Sequence, residues 1–304
     1  MLTDCGMAVA SGLFKKSCPE PVEWSNQQDP EWLVRSCKAS PMGLGRLAAY
    51  IILGFGHQFL AWLIPFRKQE HPREVGWDVF SLLCTLVFFI LYGMMIGGPV
   101  SRWVSSLELV QQWHNVIRAG PYWPLVFLNF VLADFINYWA HRLLHIRSFW
   151  HTHAWHHASQ NLWWVAGLRG SPIHVVLNIA PYTVAYLLCP TTGSGIIGMG
   201  LALLDIANQH WQHSNIKIPY SRQIELVVVT PRFHFVHHCA DPRYTNSNYG
   251  FLTTIWDRMF GTFIDPDTVS LDEPLGLDYK NSNTRLLIGL PPKIENTVRL
   301  GKVS

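Results

Sequence analysis

Five long apolar stretches limit what this chain can become. Residues 48–66 (AAYIILGFGHQFLAWLIPF) and 79–98 (VFSLLCTLVFFILYGMMIGG) each approach the ~20 residues that an α-helix needs to cross a bilayer. Residues 122–140 are of the same kind but carry Asp134. Residues 173–189 and 193–207 are shorter, and the brief turn that opens at Pro190 joins them as a hairpin. Buried core helices are the rival reading, but the number and length of the runs favour a membrane. No break in composition divides the 304 residues into two parts.

Histidines gather at the ends of these stretches. Eight of the fifteen fall in three clusters: His141 and His145; His153, His156 and His157; His234, His237 and His238. Every spacing is i, i+3 or i+4, so the imidazoles of one cluster can share a helix face. Imidazole is the commonest protein metal ligand, and three such faces offer more nitrogens than one tetrahedral ion takes. Two metals side by side are expected. Further along, His210 and His213 close the hairpin and offer two more candidates. His151 is out of phase with its neighbours, and His57, His71, His114 and His174 stand alone as interfacial or internally satisfied residues.

Asp134, Tyr138, His141 and His145 recur at helical intervals and form one stripe. An unpaired carboxylate inside an apolar segment is expensive and marks function. Asp134 is therefore expected to accept a hydrogen bond from a ligand imidazole and fix its orientation, with Tyr138 in a similar supporting place.

The topology puts all the clusters at one membrane face. Arg67, Lys68, Arg73, Arg142, Arg147, Lys217, Arg222, Arg232, Arg243 and Arg258 make that face cytoplasmic. Lys15, Lys16, Arg35, Lys38 and Arg46 pull against the outward N-terminus this implies. Residues 99–121 have Trp103, Leu107, Val110 and Trp113 at helical spacing and read as an interfacial helix.

Other classes are disfavoured. The net charge of +3 comes from scattered residues and gives no case for nucleic acid. The six cysteines form no CxxC pair, which argues against a disulfide framework or thiolate metal site. No apolar core follows a basic start, so no signal peptide is read.

The motifs resemble those of the fatty acid hydroxylase superfamily, also called the sterol desaturase family, and its bacterial branch most. Asp134-Phe-Ile-Asn-Tyr138-Trp-Ala-His141-Arg142-Leu-Leu-His145 resembles D-x-x-x-Y-W-x-H-R-x-x-H. Trp150 with His153-Ala-Trp-His156-His157 resembles W-x-x-H-x-x-H-H, and Gln212-His213-Ser-Asn215 resembles the lone-histidine element. Thr230-Pro231 through His234-Phe-Val-His237-His238 resembles T-P-x-x-H-x-V-H-H, although Arg232, Phe233 and Phe235 depart from the usual residues. Asn246-Ser-Asn248-Tyr249-Gly250 and Trp256-Asp257-Arg258-Met-Phe260-Gly261-Thr262 resemble the closing elements.

The resemblance implies an all-α integral membrane bundle of four to five bilayer segments with a cytoplasmic histidine-rich cap. The segments would be an N-terminal peripheral part (1–47), a membrane hairpin with its interfacial helix (48–121), the catalytic domain (122–268) and a peripheral tail (269–304). It also implies two iron ions held by His141, His145, His153, His156, His157, His213, His234, His237 and His238, with His210 in reserve. Zinc would fit the same donors in purified protein, but it is redox-inert and could not activate O2. The expected reaction is O2-dependent hydroxylation or desaturation of a hydrophobic lipid, in a bacterial inner membrane with the metals facing the cytoplasm. No haem-attachment, dinucleotide-binding or ferredoxin pattern is present, so electrons must come from a separate cytochrome b5-, ferredoxin- or reductase-type donor. Two rivals stand against this. A metal transporter or sensor would want a ladder of polar residues through its spans, and only Asp134 and Asp205 lie inside. A zinc hydrolase would want HExxH, which is absent.

Overall fold

A computed structural model describes residues 41–69, 72, 74–190 and 195–292, with the side chains of 41–47 and 195–202 left aside. Most of the expected N-terminal segment (1–47), His71 and Cys5, Cys18 and Cys37 lie outside the described residues. The chain divides into residues 1–44 and a second unit, Gly45–Ser304, which carries all the histidine clusters.

The secondary structure is helical. In chain order come α1 (Pro41–Leu63), α2 (Val75–Tyr92), α3 (Gly98–Ser106), α4 (Glu108–Arg118), α5 (Tyr122–Leu144), α6 (Arg147–His157), α7 (Pro172–Leu188), α8 (Gly195–Gln212), α9 (Pro231–His238), α10 (Ile255–Met259) and α11 (Asn283–Leu287), with short turns between. Among the described residues, the only β pairing is three isolated bridges.

The second apolar run does not stop at Gly98 as expected. A π-turn at Gly93–Gly97 carries the helix on into α3, so a continuous helical stretch runs from Val75 to Ser106. Of the described helices, this one alone is long and apolar enough to cross a membrane, and only 11% of its apolar window is buried. The apolar helices Ala48–Leu63 and Pro172–Leu188 are shorter.

The rest of the expected interfacial helix is α4, which lies across the end of α7. The last carbonyls of a helix have no partner within it. Here the Trp113 indole and the His114 imidazole bond the carbonyls of Leu188 (2.7 Å) and Leu187 (2.8 Å), and Asn129 of α5 bonds that of Cys189 (2.8 Å).

One buried ionic knot joins α2 to α6. Asp78 accepts from Arg169 and from the Trp163 indole (3.0 Å), while Arg169 also reaches Glu74 at 3.0 Å. The same guanidinium lies 4.2 Å above the Trp155 ring, whose indole donates to Ser81 at 2.8 Å. An arginine this deeply buried is tolerated because it is paired and stacked.

The stretch after residue 268, expected to be peripheral, packs against the same helix. Leu286 and Leu287 of α11 join Ala154 and Trp155 in one core cluster, and Asn283 bonds Glu74 at 3.1 Å. The physical reason is apolar burial: α6 needs a lid on the face that its histidines do not use.

Candidate metal centre

α9 starts as a short buried helix should. Thr230 caps it by accepting from the Phe233 amide at 3.1 Å, and Pro231 sits in the first turn, where no amide is missed. Asn248 then holds the helix from below, donating to the Phe233 and Ile264 carbonyls and accepting from the Ile264 amide.

Nine imidazoles converge between α5, α6, α9 and the end of α8. They sort into two groups, within each of which one ring nitrogen per residue lies within 4.8 Å of all the others: His141, His145, His153, His157 and His237; and His156, His213, His234 and His238. All are buried except His141 and His145, which are partly so. The sorting corrects the expectation of one shared face per cluster. Positions i+3 and i+4 differ by about 100° around a helix. In each His-x-x-His-His run the i, i+4 pair therefore enters one group and the i+3 residue the other. α6 sends His153 and His157 to the first group and His156 to the second; α9 sends His237 to the first and His234 and His238 to the second. The groups share a wall, where the His157 and His238 rings stack at 4.5 Å.

The donor set fits metal ions. Three carbonyls fix tautomers: Tyr249 accepts from His141 Nδ1 (2.9 Å), Gln209 from His213 Nδ1 (2.9 Å) and Ser247 from His237 Nδ1 (2.7 Å). Each leaves a bare Nε2. His213 Nε2 lies 3.2 Å from His156 Nε2 and 3.1 Å from His234 Nε2, while His234 Nε2 lies 3.0 Å from His238 Nε2. Two nitrogens bound ~2.1 Å from one ion at right angles are about 3.0 Å apart. Both ring nitrogens of His145 and His157, with His237 Nε2, are buried without a hydrogen-bond partner. Such orphans cost about 1–3 kcal/mol each, a cost that ligation would remove. Burial also lowers the imidazole pKa values, to about 4 for His141 and His213, so these rings are neutral ligands at neutral pH.

The surroundings hold the rings in place. Tyr249 packs against His141, His145 and His237, and Trp150 against His145 and His157. Asp257 accepts from the amides of Tyr249 (2.8 Å) and Gly250 (2.7 Å), which pins the carbonyl that meets His141; its pKa is raised by burial to about 6. A side chain at Gly250 would collide with the Thr253 carbonyl, and one at Gly167 would enter the His213 ring at 2.5 Å.

Several expected roles change. Asp134 meets no imidazole: its carboxylate accepts from the Leu252 amide (2.8 Å), the Thr253 hydroxyl (2.7 Å) and the Trp256 indole (2.8 Å), and so ties α5 to the closing segment. Tyr138 likewise reaches Thr262 (2.9 Å) and Arg142 (3.3 Å), and its ring touches Tyr249 and Phe260. Both carry the wall behind the histidines. The reserve residue His210 stands outside both groups, bonded to the Tyr50 carbonyl at 3.0 Å. His174, isolated in the sequence, lies against the centre: its Nδ1 is 2.7 Å from His153 Nδ1, and its Nε2 is 2.5 Å from the Asn178 amide. The Asn178 amide nitrogen donates to His174 Nε2, so His174 carries its proton on Nδ1 and turns it toward His153 Nδ1. No sequence spacing signals this, because the partner is on another helix.

A family model, fatty acid hydroxylase, matches residues 126–262, which hold all nine histidines. An alkylglycerol monooxygenase of Xenopus tropicalis is 34% identical over 66% of this chain and 42% of its own length. One from Danio rerio is 31% identical over 87% of this chain and 56% of its own. An ornithine lipid hydroxylase of Rhizobium tropici is 35% identical over 47% of this chain and 44% of its own. The chain thus spans about half the length of the curated relatives it matches. No solved structure matches it. By its motifs and these likenesses, the chain belongs to the fatty acid hydroxylase superfamily.

Proposed function

We propose that this protein is an integral membrane oxidoreductase that uses two iron ions and O2 to hydroxylate or desaturate a hydrophobic lipid. The observation that carries the reading is the sorting of nine buried imidazoles into adjoining groups of five and four. A structural zinc site needs only four donors in one tetrahedron; nine donors in two neighbouring sets suit a pair of ions. When bound, a redox-active pair supplies the activation of O2 that an unactivated C–H bond requires. The protein keeps the imidazoles neutral by burial, holds three tautomers through backbone carbonyls, and excludes water with Trp150 and Tyr249.

The names of the relatives favour a lipid substrate with a polar head, and a sterol or fatty acyl chain fits the same apolar surroundings. α2 with α3 would cross the bilayer, joined by α1, α5, α7 and α8, with the histidines at the cytoplasmic face of a bacterial inner membrane and electrons delivered by a separate protein. The test is metal analysis and turnover together. Purified protein loaded with iron should hold about two ions per chain, and after chemical reduction it should place one atom of isotopically labelled O2 into lipid, or remove two hydrogens. Metal transport across vesicles with no oxidised lipid would sink the reading.

A further inference from the structure

Asp205 is the second carboxylate inside an apolar stretch, and the metal centre does not use it. On α8 it precedes His213 by eight residues, about 12 Å along the helix. Tyr182 on α7 lies eight residues past His174, at matching depth, and its hydroxyl donates to Asp205 Oδ1 at 2.6 Å. Residues His174, Asn178 and Tyr182 succeed one another at i, i+4 and i+8. One polar stripe of α7 therefore runs from the metal centre to this pair.

The pair is only partly enclosed. Asn137 of α5 approaches the Tyr182 hydroxyl, and the Phe251 ring, two residues past Tyr249, packs edge-on against Tyr182. Asn208 and Gln212 of α8 bond the Phe251 carbonyl and fix that wall. Tyr182 is thus met from α5, α8 and the closing segment, yet 37% of its surface is accessible, and Asp205 is half-buried. Asp205 differs sharply from Asp134 in its partners. Three donors satisfy Asp134, whereas among the described residues Tyr182 is the sole donor to Asp205. A carboxylate left with a free oxygen at membrane depth is costly unless something is bound there.

We propose that Asp205 and Tyr182 anchor the polar end of the substrate: the hydroxyl or amine of a long-chain amphiphile whose chain runs beside α7 and α8 to the histidines. The anchor rests on the lipid-oxygenase function proposed for the metal centre. The free carboxylate oxygen and the phenol oxygen both accept, so the ligand must bring an O–H or N–H. An ether or ester head brings only acceptors and leaves the carboxylate unmatched. Two helical turns then separate the anchor from the metals, so the oxidised carbon is counted from the donor end.

The test uses the metal-loaded full-length protein in lipid nanodiscs, with hexadecanol, hexadecylamine and hexadecyl methyl ether competing against a fluorescent long-chain probe. The wild type should bind the alcohol or the amine at least about tenfold more tightly than the ether, in line with one lost hydrogen bond to a charged group; which of the two wins identifies the head. Asp205→Leu and Tyr182→Phe should bring that ratio to within about twofold at unchanged metal content, and Tyr182→Phe keeps the reading open if Asp205→Leu does not fold. Equal binding of alcohol and ether by the wild type overturns the proposal. So does a ratio that survives both substitutions, or a loss of turnover on all probes with the affinities unchanged. In turnover, the oxidised position should stay fixed from the donor end as the chain is lengthened; a position that follows the tail overturns the anchor. Complete absence of product would count against the oxygenase, while the binding ratios still decide the anchor.

Discussion

At the scale of single residues, the His213 ring fills the space beside Gly167. It touches the place a Gly167 side chain would take, so Gly167→Ala should displace it and disturb the four-histidine group alone. Metal content should fall from two ions per chain to about one, as it should for His213→Ala; His145→Ala should remove the other ion. Elemental analysis distinguishes these cases, and loss of both ions in each variant would mean that the groups do not load separately. His174→Ala should weaken metal binding 10- to 100-fold, the usual effect of removing a partner of a ligand imidazole. Titration with a competing chelator measures it. The nine histidines are legible in the sequence because helical spacing and motif order mark them. Their division into five and four is not, since it depends on how α6 and α9 face each other. Spacing also misses His174 and overrates His210, for the same reason: an imidazole with no neighbour in its own helix takes its meaning from another.

Among the elements, α5 and the closing segment act as one piece through Asp134. Asp134→Ala leaves the Leu252 amide and the Trp256 indole without their acceptor. At about 1–3 kcal/mol for each stranded donor, the expected loss is about 2–6 kcal/mol, read as a lower unfolding midpoint with metal content per folded chain unchanged. The reverse pattern, metal lost at an unchanged midpoint, would restore the ligand-orienting role first expected of Asp134. Its apolar setting marks the carboxylate in the sequence; its partners lie more than a hundred residues away and carry no spacing signal. The major helices are legible from the apolar runs, and Thr230-Pro231 announces α9. α11 is not, because five residues in a polar tail have no periodicity to read.

For the whole molecule, the buried imidazoles set a pH limit. His141 and His213 have folded-state pKa values of about 4 against 6.5 for free histidine. Below 6.5 the unfolded chain therefore binds protons that the folded one refuses, and stability falls as pH drops through the window from 6.5 to 4. Each such histidine accounts for roughly 3 kcal/mol at the bottom of that window. Metal-free protein should thus show a falling unfolding temperature from pH 6.5 downward, and bound metal should flatten the curve. A flat curve without metal would mean the rings are not buried as described. The helical stretch Val75–Ser106 has a further consequence. Its 32 residues extend about 48 Å, well beyond the ~30 Å of hydrocarbon in a typical bilayer. As the proposed bilayer span it would tilt or protrude, by an amount that depends on the thickness of the host membrane. At Asp78 this helix grips Arg169, which lies on Trp155 between the histidines of α6. In that arrangement acyl-chain length of the surrounding lipids would be a mechanical input to the metal centre, and turnover in bilayers of graded thickness should pass through an optimum.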